Sequence, residues 1–411
     1  GGATLTDSTG VATFPALSVD LVGTKTLTAT TGTVTATSTS FTVSPAAAAS
    51  LTFSVPPSPV VAGVALAPAV KVVAKDAFGN PVPGTSIGLS LDGTGTLGGG
   101  AAVTTDSTGT ATFTALSVDL VGAKTLTATS GLLTATSSAF TVSAAAPATL
   151  TFTSQPSTVV AGVAIAPAVK VRANDAFGNL VPGASIALTL NGAGALTGGG
   201  TATTDSTGTA TFNALSVNLV GSKTLTATNG AVTATSTSFT VSPAAVSSLA
   251  FTTQPSAVVA GVAIAPSVKV KASDAFGNAV PGASVALTMT GTGTLTGGAA
   301  VVTDAAGTAT YAALSVNLIG SKTLTATSGV LTATSSAFTV SPAATASLAF
   351  TTQPSAVVAG VAIAPSVKVT AKDAFGNIVP GASIALTMTG TGTLTGGGAV
   401  TTDTTGVATF A

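Results

Sequence analysis

The chain has 411 residues, enough for roughly two to four domains, and only 6% of them are charged, against about 25% in a typical domain. Twelve Lys and Arg balance twelve acidic residues, all of them Asp, and Glu, Cys, His and Trp are absent. Those absences exclude thiolate and imidazole metal sites, Ser-His-Asp and Cys-His nucleophile systems and disulfides, and the zero net charge with no basic stripe excludes nucleic acid as a partner. Paired-carboxylate hydrolysis would have to use Asp alone. No apolar run reaches the roughly 18 residues of a membrane-spanning helix, because Thr, Ser, Gly, Pro or Lys interrupts every stretch. No membrane insertion is expected. The chain opens at Gly1 with neither Met nor a signal peptide, which reads as a processed or partial product.

Three motifs recur at a spacing of 99 residues. Asp-Ala-Phe-Gly-Asn starts at Asp76, Asp175, Asp274 and Asp373. Thr-Asp-x-x-Gly-x-Ala-Thr-aromatic has its acid at Asp7, Asp106, Asp205, Asp304 and Asp403, and Gly-x-Lys-Thr-Leu-Thr-Ala-Thr places Lys25, Lys124, Lys223 and Lys322. Connectors rich in Ser, Pro and Ala (Ser44-Pro45, Ser143 to Pro147, Ser242-Pro243, Ser341-Pro342) mark the boundaries. The expected division is a partial repeat over 1–45, whole repeats over 46–144, 145–243 and 244–342, and a partial repeat over 343–411.

Within 46–144, taken in chain order, hydrophobicity alternates with the period of two that marks a half-buried strand. In Val70 to Lys75 the even positions face inward and the lysines outward. In Ile87 to Leu91 the odd positions face inward. In Thr110 to Ala115, Phe113 is the core anchor among threonines, and in Thr125 to Thr129 the inward pair is Leu126 and Ala128 beneath a threonine ladder. Ser130-Gly131 gives a tight hairpin into a strand from Leu132 to Val142. Seven or eight short strands result, with no sustained helical period. That pattern, with a unit close to the ~100 residues of a sandwich domain, predicts an all-β chain of tandem Greek-key immunoglobulin-like sandwiches. Phe78, Phe113 and Phe140 are expected in the core. The outward threonines offer hydrogen bonds across strands or between molecules.

Asp76, Gly79 and Asn80, and likewise Asp106 and Gly109, are read as structural turns: Asp accepts backbone N–H bonds, Gly supplies a positive φ and Asn tolerates one. Calcium would suit their oxygens, but one or two carboxylates per loop fall short of the six to eight ligands it takes, and Asp20 and Asp119 become Asn218 and Asn317 in later copies. No catalytic, cofactor or metal residue is assigned. Lys25, Lys124, Lys223 and Lys322 lie by strand parity on the inward side, where a lysine beside Asn and a carboxylic acid can form an intramolecular isopeptide bond. A packed stem with the ammonium snorkelling to water is the commoner arrangement, and it is favoured because no Glu is present.

The ordered motifs, Asp175-Ala176-Phe177-Gly178-Asn179-Leu180-Val181-Pro182-Gly183 and then Thr204-Asp205-Ser206-Thr207-Gly208-Thr209-Ala210-Thr211, resemble the bacterial Ig-like repeats of the invasin and intimin type, over essentially the whole chain. The resemblance implies a rigid extracellular or cell-surface rod, often in adhesins, with binding delegated to a terminal domain. Two functions fit. One is a structural subunit of an extracellular filament, sheath or surface fibre whose partners are copies of itself, joined head to tail when 343–411 is completed by the equivalent of 1–45 of the next molecule. The other is the stalk of an adhesin that meets a host or neighbouring-cell surface through a tip absent from this chain. No enzyme is expected.

Overall fold

The computed structural model describes residues 2–411, and among them it forms forty-two β-strands and no helix. The abundance of Thr and Val is the local cause, since branched side chains pack well on a pleated surface. In the repeat over 46–144, eleven strands lie between Ser50 and Ser143. Seven of them have four residues or more, and the other four are the two-residue pairings 60–61, 97–98, 103–104 and 117–118. Such short pairings carry no alternation of their own, so the sequence pattern counts only the longer strands.

Two sheets face each other. The larger is ordered Val103–Thr104, Ser86–Asp92, Gly122–Ser130, Phe140–Ser143, Val60–Val61, and Leu133–Thr136 also pairs with the long strand. The smaller is ordered Thr110–Phe113, Val70–Lys75, Ser50–Val55. Every pairing in these two sheets is antiparallel except that of Val60–Val61 with Phe140–Ser143. The chain therefore leaves one sheet after Val55 and joins the other at Val60. Pro56 and Pro57, which cannot donate to a ladder, sit at the crossing. The result is an immunoglobulin-like sandwich, and the same strand order recurs in the strands between Thr149 and Ser242 and in those between Ser248 and Ser341.

Alternation appears directly as burial. Val70, Val72 and Ala74 of the smaller sheet, and Ile87, Leu126, Ala128, Phe140 and Val142 of the larger, are buried with Phe113 between them. Separate cores of the same kind form around Phe212 and Tyr311, and a smaller one around Phe410. On the outer face Thr127 lies opposite Thr136 on one side and Ser90 on the other. Asp92 accepts hydrogen bonds from Thr125 and Thr127, and in the next repeat Asn191 donates to Thr224 and Thr226.

The hairpin at Ser130 turns through Gly131, whose φ of 58° suits the first central residue of a two-residue turn. The strand expected to run from Leu132 to Val142 is broken after Thr136. Ser137 is the reason. Its Oγ accepts the Leu126 N–H at 2.9 Å and donates to the Ser138 carbonyl at 2.8 Å, taking the place of a ladder partner while the strand shifts.

Residues 2–45 and 343–411 carry parts of the same design. Phe14, Leu17, Leu27 and Phe41 are 38–49% exposed, whereas their counterparts Phe113, Leu116, Leu126 and Phe140 are 3% exposed or less. Burial of such a side chain stabilises by about 1.5–3 kcal/mol, and the four exposed ones keep only part of that term.

Candidate functional site: the junction between repeats

The recurring Asp-Ala-Phe-Gly-Asn loop follows the central strand of the smaller sheet and lies at the boundary with the preceding repeat. Its frame is local: the Gly79 N–H donates to the Asp76 carbonyl and the Asp76 N–H to the Asn80 carbonyl, both at 3.0 Å. Inside it the Asp76 carboxylate receives four donors. Oδ1 accepts from the N–H of Phe78 and of Asn80, each at 2.9 Å, and Oδ2 accepts from the Ala46 N–H at 3.1 Å and from Asn80 Nδ2 at 2.9 Å. Burial pushes its pKa up, but these donors, Asn80 foremost, outweigh burial and hold it below the ordinary carboxylate value. Asp175, Asp274 and Asp373 are shifted the same way for the same reasons.

Asn80 is thereby oriented, because donating one N–H to Asp76 fixes which end of the amide is nitrogen and leaves its second N–H and its oxygen for other partners. That side chain reaches the preceding repeat. Nδ2 also donates to the Asp20 carbonyl at 2.7 Å, and Oδ1 accepts the Val22 N–H at 3.2 Å. The same pair of bonds joins Asn179 to Asp119 and Val121, Asn278 to Asn218 and Val220, and Asn377 to Asn317 and Ile319. Only backbone is read, which is why Asp at 20 and 119 and Asn at 218 and 317 serve equally.

The phenylalanine of the loop is the second element of the junction, and here the sequence expectation is corrected. Phe78, Phe177, Phe276 and Phe375 are 42–62% exposed and lie outside the sandwich core, unlike Phe113 and Phe140. Phe177 stands over Gly63 of the preceding repeat so closely that a Cβ there would overlap the tip of its ring. Phe276 meets Gly162 and Phe375 meets Gly261 in the same way. Gly63 has a φ of 74°, a backbone conformation open to Gly at no steric cost. Its N–H donates to the Val118 carbonyl, next to the segment that Asn179 holds. Phe78 faces no such glycine and is the most exposed of the four, at 62%. The signal available in the sequence was the Phe's place in a polar turn, off the period-two pattern, yet unchanged in every copy.

The second turn is closed on itself. Asp106 Oδ1 accepts from the N–H and hydroxyl of Thr108 and the N–H of Thr110, with Thr108 the main cause of a lowered pKa. Gly109 has a φ of 68°, and a Cβ there would lie 2.8 Å from the Val82 nitrogen. Among the described residues no three Asp side chains come together where they could hold a metal.

Lys124, Lys223 and Lys322 are buried, at 3–5% exposure, on the same face as their neighbouring core leucines. Lys25, in the open half-sandwich, is half-buried. The Lys124 ammonium donates to the Thr94 hydroxyl at 3.0 Å, that of Lys223 to the Val220 carbonyl at 3.1 Å, and that of Lys322 to both the Thr292 hydroxyl and the Ile319 carbonyl at 3.2 Å. These partners are hydroxyl and carbonyl oxygens, whereas an isopeptide bond needs a side-chain carboxyl or carboxamide.

No family model matches the chain, and no curated protein matches it. Solved structures similar to it include the Escherichia coli adhesin FdeC, at 21% identity over 71% of this chain and 96% of that one with a TM-score of 0.39. The bacterial integrin-binding protein invasin is 16% identical over 79% of this chain and 67% of its own, with a TM-score of 0.37. Domains 1–6 of the surface-layer protein SbsC are 19% identical over 91% and 51%, with a TM-score of 0.26. The Ig-like assignment itself rests on the strand order within each repeat. At these identities the likeness is one of fold.

Proposed function

We propose that the chain is a structural rod of the cell surface or extracellular space, in which Ig-like repeats are locked end to end to transmit position and load. The observation that carries this reading is the junction itself. An Asn side chain bonded to two backbone groups of the preceding repeat, and a Phe seated on a glycine, recur at successive boundaries. A flexible string of beads needs neither. Directional bonds and a close-packed ring at each boundary limit the rotation that a Ser-Pro-Ala connector alone would permit.

The finer reading is that such rods associate into a filament or sheath, with copies of the same chain as partners. The half-sandwich over 343–411 exposes Leu348, Phe350 and Val358, and that over 2–45 exposes Leu17 and Leu27; apart from residues 1–15, which correspond to 397–411, the two are complementary parts of one repeat. A cavity of about 540 Å³ on the latter, lined by Phe14, Leu17, Leu27 and Ala36, fits apolar strand residues of the former type. Completion by a second copy joins molecules head to tail, a contact that does not close and so propagates. The same rod serves equally as the stalk of an adhesin, with a reach of roughly 140–150 Å for four domain lengths at ~3.3 Å per strand residue.

Electron microscopy of the 411-residue polypeptide at neutral pH tests both levels. Straight fibres with an axial period set by the repeats are expected for the filament. Isolated straight rods would remove the filament reading and leave the stalk, while flexible beads would overturn the rod itself.

A further inference from the structure

The buried lysines lie outside the Asn and Phe contacts of the junction, yet two of them touch it through one residue. Lys223 Nζ donates to the carbonyl of Val220, and the N–H of that same Val220 donates to Asn278 of the next repeat. Lys322 holds the carbonyl of Ile319, whose N–H donates to Asn377. A continuous polar path therefore crosses the boundary: ammonium, Val220, Asn278, the Asp274 carboxylate, and on to the Ala244 amide.

Val220 is followed by Gly221 and Ile319 by Gly320, at φ of 112° and 110°. Glycine admits many backbone conformations there, so the carbonyl that precedes it is free to rotate unless something holds it. A buried ammonium is a strong and costly donor, since a charge removed from water requires acceptors around it. Nothing in the sandwich core demands a charge at this position, where the neighbouring inward residues are Leu225 and Ala227. The polar end of the side chain is instead directed at the loop that the next repeat grips.

We propose that Lys223 and Lys322 are positioning residues for the inter-repeat junction, fixing the 218–221 and 317–320 loops so that their N–H groups are presented to the Asn of the following repeat. The first junction supplies an internal contrast. Lys124 bonds to the Thr94 hydroxyl, and its ammonium makes no hydrogen bond to the Val121 carbonyl. In the second repeat the place of Thr94 is taken by Ala193, and there the lysine holds the loop. In the third repeat Thr292 stands at the place of Thr94 and Lys322 bonds both its hydroxyl and the Ile319 carbonyl, so the hydroxyl competes with the loop carbonyl for the ammonium without always displacing it.

Amide hydrogen exchange of the full chain tests this. In the unaltered protein Val121 is expected to exchange faster than Val220 and Ile319. Thr94→Ala, at an exposed position outside the core, should slow Val121 several-fold by releasing Lys124 to its carbonyl. Lys223→Met should speed exchange at Val220 by about tenfold or more, while Leu225 in the adjoining strand stays within about threefold, since junction opening is a local event. A lysine that merely fills the core would, on removal, raise exchange at Val220 and Leu225 alike, and that outcome overturns the proposal. So does an unchanged Val121 in Thr94→Ala, which decides the matter even where the methionine variant fails to fold. Intact mass provides a separate check, because an isopeptide bond at Lys223 would lower the mass by one ammonia or one water and take the lysine out of the role assigned here.

Discussion

Gly162 and Phe276 are an interlocking pair in which each explains the other. The glycine has a φ of 77°, and a Cβ would run into the ring. Gly162→Val should therefore combine backbone strain of roughly 1–2 kcal/mol with expulsion of the ring from the junction. Gly360, at a φ of 82° with no atom within 4 Å of its would-be Cβ, is the matched control, since valine there meets the strain alone. Small-angle scattering is expected to give a shorter, more bent particle for Gly162→Val and an unchanged one for Gly360→Val. Equal profiles for the two variants would mean that the ring contact does not stiffen the rod. The glycine's part was not legible in the sequence, because the residues that make the contact lie in different repeats. The loop as a turn was legible, because Asp, Gly and Asn each have a local reason to be there.

At the scale of strands, the alternation in Val70–Lys75 translates directly into burial, and so does the inward set Leu126 and Ala128. Period two is decisive where one face meets the core. The break in the next strand shows in the sequence only as a change of parity, with Leu133 and Ala135 inward at odd positions, Phe140 and Val142 inward at even ones and Ser137 at an inward place between them, and the serine's role appears only when its hydroxyl replaces a ladder partner. Ser236, the copy in the second repeat, accepts the Leu225 N–H at 2.9 Å. Ser236→Ala would leave that buried N–H without an acceptor, at a cost of about 1–3 kcal/mol. Exchange of the Leu225 amide should rise accordingly. Ser38 makes the same bond to Leu27 on an exposed strand, where water replaces it, and Ser38→Ala should cost nothing measurable. The lysines were placed on the correct face by parity, but the destinations of their ammonium groups depend on loop geometry that no strand pattern encodes.

For the whole molecule, the carboxylates set the response to solution conditions. Asp76, Asp175, Asp274 and Asp373 have lowered pKa values, so their contribution to the junctions is complete above the ordinary carboxylate value and is lost only as the pH falls through the lower, folded one. With His, Cys and Glu absent, and with Tyr311 pushed up to about 12 by burial, the rod should keep its shape from about pH 5 to pH 9 and loosen only in stronger acid. A chelator should leave it unchanged, since each of the four carboxylates is already surrounded by protein donors. Salt should not dissolve it either, because so few charges are available to screen. Scattering profiles across pH, with and without chelator, check these statements together. A profile that softens near neutrality, or on removal of divalent ions, would contradict the junction as described.

A joint that is made the same way each time has a geometric result. If one repeat is carried onto the next by a fixed rotation and translation, applying that operation again carries it onto the one after, and the array becomes a screw. Every surface residue then traces a helix of constant pitch about the long axis. The hairpin tips at Leu132 and Val330, 101% and 97% exposed, are two points on such a path. Whatever lies alongside the rod would meet those tips at regular angular steps, and the sequence period becomes a pitch that diffraction from aligned material can read as layer lines.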